Sequence, residues 1–335
     1  MGGAGGTAAA LLRAGLLCAS LPYSAVMRLR RWLYRRGVLP ARSAGVPVIC
    51  VGNLTTGGTG KTPMVAWVVR RLKDAGKTPA ILTRGYKAVD GVSDEAELLG
   101  HLTGADVVVN GDRAAGAETA LAGGADVLVM DDGYQHRRLR RDLDIVLVDA
   151  ANPFGFGHCL PRGLLREPPG ALRDAGAVVI TRSDAVDADA LERLRDRLRV
   201  LAPDCSLHAA VHRPADVIDA DGQRHPAGAL SGRKVLAFCG IAAPDSFFGT
   251  VEALGADLSA TLALPDHVNY TDAVVAEVRR AADSAGADLL VTTQKDHVKL
   301  AGPDLGLDVW QLAVEMAVVD GEAELAAKIE AAAQG

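Results

Sequence analysis

The segment that most constrains this chain lies at residues 48–62. Val48-Ile-Cys-Val51 is a short apolar, β-branched run, and it leads straight into Gly52-Asn-Leu-Thr-Thr-Gly-Gly-Thr-Gly-Lys-Thr62. A helical pattern over 63–75 follows. A buried strand, a glycine-rich loop and a helix, in that order, form a cradle for phosphate. The glycines let backbone N–H groups turn toward the anion, and the helix N-terminus adds partial positive charge. In such a loop Thr55, Thr56, Gly57, Gly58, Thr59 and Gly60 wrap the phosphates. Lys61 reaches the β- and γ-phosphates, and Thr62 offers its hydroxyl to a magnesium ion. Pro63 falls in the first helical turn, where its missing N–H costs little. One position departs from the G-x-x-x-x-G-K-T pattern: Thr55 stands where its first glycine would be, and Gly57 and Gly58 supply the flexibility instead.

The rest of the chain is patterned to support such a loop. Apolar runs at 48–51, 80–83, 106–109, 126–130, 145–148 and 177–181 alternate with helical patterns at 63–75, 113–122 and 188–201. That alternation is the signature of a parallel sheet covered by helices. After 211–218 the polar, turn-rich segment 219–226 interrupts it. A second set then runs through strands at 235–239, 288–292 and 309–312, with helices at 246–254 and 321–333. The expected fold is α/β: a P-loop NTPase-like parallel-sheet domain over 37–218 and a smaller α/β domain over 219–335, preceded by a separate segment, 1–36. Apolar residues make up 49% of the chain but aromatics only 4%, so the core must be built from Ala, Val and Leu. The five cysteines form no C-x-x-C pair, which excludes a zinc knuckle or a disulfide framework and fits a reduced, cytoplasmic setting.

Charge is unevenly spread. The net charge is −5, yet residues 1–73 hold eleven Lys or Arg and no acidic residue. A cationic front on an acidic body points to an anionic membrane surface; nucleic acid is set aside because no nucleic-acid-binding motif accompanies the charge. Residues 8–27 are mostly apolar, but Arg13 and Pro22 interrupt them and Gly15 weakens them. Against the about 20 apolar residues that span a bilayer they are a marginal span, peripheral or singly anchored, and they lack the charged start and cleavage site of a signal peptide. Arg28-Leu-Arg-Arg-Trp-Leu-Tyr-Arg-Arg36 follows. On a helix Val26, Leu29 and Leu33 share one face and Arg28, Arg31 and Arg35 another, while Trp32 and Tyr34 suit the headgroup level. The expectation is contact with the membrane surface. A helix packed on the protein body is the alternative.

A nucleotide site also needs an acidic residue at the tip of a nearby strand to hold the metal. The run 126–130 ends in Asp131-Asp-Gly-Tyr-Gln-His136, so Asp131 and Asp132 are candidate metal ligands. The same residues also read as a charged turn after a strand.

Loop and acidic pair together say only that a nucleotide binds. The wider set of motifs resembles the tetraacyldisaccharide 4'-kinase family. It comprises Val51-Gly-Asn-Leu54 with Gly57-Gly-Thr-Gly-Lys-Thr-Pro63, Arg84-Gly-Tyr86, Ser93-Asp-Glu95, Gly111-Asp-Arg113, Asp131-Asp-Gly-Tyr-Gln-His136, Leu160-Pro-Arg-Gly-Leu-Leu-Arg-Glu-Pro168, Pro265-Asp-His267 and Thr293-Gln-Lys-Asp296. The segment Phe238-Cys-Gly-Ile-Ala-Ala-Pro244 and Gln294 depart from the family pattern. The resemblance reaches from the Arg-rich N-terminal helix to about residue 300.

It implies a kinase that uses ATP and Mg2+ to phosphorylate the 4'-hydroxyl of a tetraacylated glucosamine disaccharide 1-phosphate, giving lipid IVA in lipid A biosynthesis. It also implies a location at the cytoplasmic face of the bacterial inner membrane. By the same resemblance Asp94 is the base that takes the hydroxyl proton, Glu95 a metal-side carboxylate, and His267 the residue that orients Asp94. Arg113 and Arg166 are candidates for the lipid's anionic head or for transition-state charge. Read without the family, Ser93-Asp-Glu is a helix start, His267 a loop histidine, and the two arginines ordinary surface cations. A membrane ATPase of the ParA or MinD kind is the competing reading, but its signature lysine would stand where Thr56 is.

Overall fold

A computed structural model describes residues 6–85, 94–241, 243–266, 268–300 and 304–334. In chain order the elements are α1 (Thr7–Arg35), β1 (Val48–Asn53), α2 (Lys61–Asp74), β2 (Pro79–Thr83), α3 (Asp94–Thr103), β3 (Asp106–Val109), α4 (Arg113–Ala122), β4 (Val127–Asp131), β5 (Leu143–Asp149), β6 (Ala177–Thr181) and α5 (Ala188–Leu201). They continue through β7 (Ser206–Ile218), β8 (Arg224–Pro226), β9 (Lys234–Cys239), α6 (Pro244–Ala253), β10 (Asp257–Ala263), α7 (Asp272–Ala285), β11 (Leu289–Thr293), α8 (Gln294–His297), β12 (Val309–Asp320) and α9 (Glu322–Ala332).

The chain divides into two compact units: Met1–Lys87, Leu102–Val211 and Met316–Gly335 form one, Ala88–His101 and His212–Glu315 the other. This division differs from the sequence expectation in two places. The C-terminal segment returns to the first unit, where Glu322 pairs with Arg71 and Lys328 Nζ donates to the Gly176 carbonyl at 3.2 Å. The start of α3, with Asp94 and Glu95, groups with the second unit.

The first unit is a parallel sheet of order β3-β2-β4-β1-β5-β6-β7. Its middle strands are buried on both faces, as helix-covered parallel strands must be, which is why they read as continuous apolar runs rather than alternating ones. Helix starts follow from side-chain caps: Asp112 accepts from the Ala114 N–H at the head of α4, and Asp187 from the Ala190 N–H at the head of α5.

The second unit has its own parallel order, β12-β11-β9-β10, and β8 pairs antiparallel with the end of β7. Strand alternation splits its core in two. Val235, Ala237 and Cys239 of β9 pack toward Phe247 and Val251 of α6, while Leu236 and Phe238 pack toward Val275, Val278 and Ala282 of α7.

Helix α1 belongs to the first unit. Its residues Ala9–Arg35 are long and apolar enough to cross a membrane, and Leu11, Leu12, Leu21, Val26, Leu29 and Trp32 are exposed along it. Of the expected basic face, Arg28 and Arg35 are exposed, while Arg31 is turned to the body. Arg31 donates to Asp174 and Glu167 and to the Ala171 carbonyl, and Arg35 lies 3.8 Å from Asp174. The reason is local charge: the Glu167 carboxylate is nearly fully buried, and a buried carboxylate requires a cation beside it.

Candidate active site

The site starts from β1. Gly52 has to be glycine: a side-chain carbon there would lie 2.7 Å from the Tyr134 Cβ and 2.9 Å from the Tyr134 backbone nitrogen. Beyond it, Gly57 (φ +114°) and Gly60 (φ +82°) take left-handed conformations that other residues rarely hold. Gly60 is the N-cap of α2, and no side chain caps that helix among the described residues. Its first N–H groups therefore face the loop, as an anion cradle requires.

The loop is pinned from several sides. Thr55 bridges to Leu165, and the Thr56 N–H donates to the Leu164 carbonyl at 2.8 Å. The buried Thr59 accepts on its Oγ1 from Asn53 Nδ2 (2.9 Å), and its carbonyl accepts from Thr181 Oγ1 (3.0 Å). Gly58 has open space beside it, and Thr62 sits in the first turn of α2.

Cations and carboxylates converge at the tip of β4. Asp131 is buried and its Oδ2 lies 3.4 Å from Thr83 Oγ1. Asp132 holds φ at +49°, a left-handed conformation that aspartate tolerates better than most residues. Its Oδ2 accepts from Arg166 Nη1 at 2.7 Å, and its Oδ1 lies 3.7 Å from Lys61 Nζ. The second distance is beyond hydrogen-bond reach, so Lys61 is attracted to Asp132 without being locked to it. Burial alone would raise the Asp132 carboxyl, but Lys61, Arg166 and Arg113 outweigh it and hold it below the usual carboxylate range.

Arg113 is only 3% exposed, so it is not a surface arginine. Its guanidinium donates to the carbonyls of Asn110 (2.6 Å) and Asp131 (3.4 Å). Burial pulls it below its ordinary pKa, although Asp131 and Asp132 pull the other way.

Thus Lys61, Asp131, Asp132, Arg113 and Arg166 are gathered beside the loop. Asp94 and Glu95, at the head of α3, stand in the second unit. There Asp94 lies 3.8 Å from Lys299 Nζ, which donates to the Val268 carbonyl at 3.3 Å. His267 lies outside the described residues.

The fit to Mg2+ rests on the donor set. Asp131 and Asp132 offer hard carboxylate oxygens, and the buried Asp132 Oδ1 makes no hydrogen bond. Among the described residues no three His, Cys, Asp or Glu cluster to hold a metal. Mg2+ fits this arrangement, because it is usually held by one or two protein carboxylates with nucleotide phosphates and water.

Sequence reasoning missed Asn53, Thr181 and Gln135, whose Nε2 donates to the Asn53 carbonyl at 2.8 Å. Asn53 and Gln135 lie inside motifs already singled out. Thr181 is 122 residues from the carbonyl it holds and carries no local signal.

A family model described as tetraacyldisaccharide-1-P 4'-kinase matches residues 12–334. A protein named tetraacyldisaccharide 4'-kinase from Anaeromyxobacter sp. (strain K) is 46% identical over 320 residues, covering 88% of this chain and 83% of its own. One of the same name from Geobacter metallireducens is 41% identical, covering 92% and 95%. The crystal structure of the "apo" form of LpxK from Aquifex aeolicus, in complex with ATP, superposes with a TM-score of 0.77 at 29% identity, over 96% of this chain and 99% of that one. The chain belongs to the tetraacyldisaccharide-1-P 4'-kinase family.

Proposed function

We propose that this chain transfers the γ-phosphoryl group of ATP to the 4'-hydroxyl of a tetraacylated glucosamine disaccharide 1-phosphate, a step of lipid A biosynthesis at the cytoplasmic face of the inner membrane. The observation that carries this reading is the convergence of Lys61 and Arg166 on Asp132 beside an uncapped α2 N-terminus. Residues 55–62 cradle the phosphates, with Lys61 on the β- and γ-groups. Thr62, Asp131 and Asp132 hold Mg2+, which when bound neutralises charge on the transferring group. Glu95 is kept as a further metal-side carboxylate on the family motif alone. Arg113 fixes the tip of β4 from behind, and Arg166 contributes charge toward the phosphates or the lipid head. Asp94 takes the hydroxyl proton as the new O–P bond forms and ADP leaves, and His267 orients Asp94; the support for both is the motif match.

The exposed apolar face of α1 supports docking to a bilayer, with the lipid substrate drawn from that surface. Measuring turnover and ATP affinity of Lys61→Ala and Asp94→Ala tests the assignment. Lys61→Ala should lose about 100-fold or more in kcat. Asp94→Ala should lose about 100-fold or more while binding ATP as the native chain does. Near-native turnover in Lys61→Ala would remove the phosphate-loop reading, and in Asp94→Ala the assignment of the base.

A further inference from the structure

Two chains of hydrogen bonds run from α1 into the phosphate site, and neither is needed merely to dock a helix on the body. In the first, Arg30 Nη1 donates to the Gln135 carbonyl at 2.9 Å, and Gln135 Nε2 donates to the Asn53 carbonyl at 2.8 Å. Asn53 Nδ2 then donates to Thr59 Oγ1 at 2.9 Å. In the second, the Tyr23 hydroxyl donates to the Arg166 carbonyl at 2.9 Å. The Arg166 N–H donates to the Leu54 carbonyl at 2.7 Å, and its guanidinium holds Asp132 at 2.7 Å. The first chain ends in the glycine-rich loop, and the second on a carboxylate that also faces Lys61. Anchoring of α1 is supplied separately by Arg31, through Glu167, Asp174 and Ala171.

Tyr23 and Arg30 lie on one side of the helix, and the exposed Leu21 and Trp32 lie on the other. We propose that α1 is a working part of the phosphate site. Arg30 is a positioning residue for the loop, acting through Gln135, Asn53 and Thr59, and Tyr23 is one for Asp132, acting through Arg166. The side of α1 that touches the body thus sets the nucleotide site, while its opposite side is free to meet lipid. The inference rests on the reading of residues 55–62 as an ATP cradle.

The test uses the full chain in detergent without lipid substrate, with ATP affinity read by calorimetry and unfolding temperature read in parallel. Arg30→Met should weaken ATP binding about three- to tenfold, the scale of one lost hydrogen bond in a buried chain. Arg30→Lys should restore most of it, since an ammonium can still donate to the Gln135 carbonyl. Gln135→Leu, which cuts the next link without touching α1, should weaken binding to a similar extent and serves if Arg30→Met does not fold. Tyr23→Phe should lower kcat with detergent-dispersed lipid about three- to tenfold, leaving the KM for lipid unchanged. ATP affinities within twofold of native in Arg30→Met and Gln135→Leu would overturn the inference. So would a loss that Arg30→Lys fails to restore, or a Tyr23→Phe defect confined to the KM for lipid. Failure of the native chain to bind ATP would instead overturn the functional reading beneath it.

Discussion

Asp132 and His136 stand four residues apart, and neighbouring cations, Arg113 common to both, favour the charged form of one and the neutral form of the other. The cations hold the Asp132 carboxyl low against the effect of burial, so its contribution to stability is full above the ordinary carboxylate range and is lost as the pH falls through that range to the lowered value. His136 is pushed down to about 4, first by burial and then by Arg113, Arg138, Arg141 and Arg30. A histidine kept neutral in the fold takes up its proton more readily when unfolded. Between about pH 6.5 and 4 the unfolded chain therefore binds the extra proton, and stability falls as pH falls. Thermal unfolding followed across that window should show a slope that His136→Gln reduces; an unchanged slope would assign the loss to other groups. Lys61, Thr62 and Asp131 were legible in the sequence because the loop and the strand tip are contiguous motifs. Thr181 and Arg30 were not, because their hydrogen-bond partners lie 122 and 105 residues away and no local pattern records them.

At the scale of elements, α1 divides its arginines between the protein body and solvent. A dense run of arginines reads as a surface for anionic lipid, and the structure divides it: Arg30 and Arg31 are engaged by the body, while Arg28, Arg35 and Arg36 are exposed. Beside these, α1 leaves large apolar side chains outward: Leu11 is 74% exposed, Val26 60% and Leu29 56%. An arginine near an anionic surface contributes about 1 kcal/mol and is screened by salt. Burying a leucine contributes about 1.5–3 kcal/mol and is not. Membrane binding should therefore be mainly apolar. Flotation with anionic vesicles should survive high salt and be lost in a Leu11→Ser, Leu21→Ser, Leu29→Ser variant; loss in salt with no effect of the serines would reverse the assignment. The buried strands of the first unit were readable from their apolar runs. Edge strand β10 was not, because it is partly exposed along its length and lacks such a run.

Over the whole molecule, the alternation of strand and helix is enough to read a parallel α/β fold, but not how the chain is shared between its units. Two segments distant in sequence, residues 1–87 and 316–335, complete one unit, and the start of α3 belongs to the other. The returning segment has a physical reason to do so: Leu325 and Ile329 of α9 are fully buried, and Arg195 Nη1 meets Asp320 at 2.7 Å. Neither contact can be foreseen from an Ala- and Glu-rich tail. Transfer from ATP to a lipid hydroxyl can be measured directly. The full chain is incubated with ATP labelled in the γ-phosphate, Mg2+ and detergent-dispersed tetraacylated disaccharide 1-phosphate, and the position of label on the extracted lipid is determined. Label is expected on the 4'-oxygen of the sugar, formed by the native chain and lost with Lys61→Ala. ATP hydrolysis without labelled lipid, or label on a different hydroxyl, would contradict the proposed reaction.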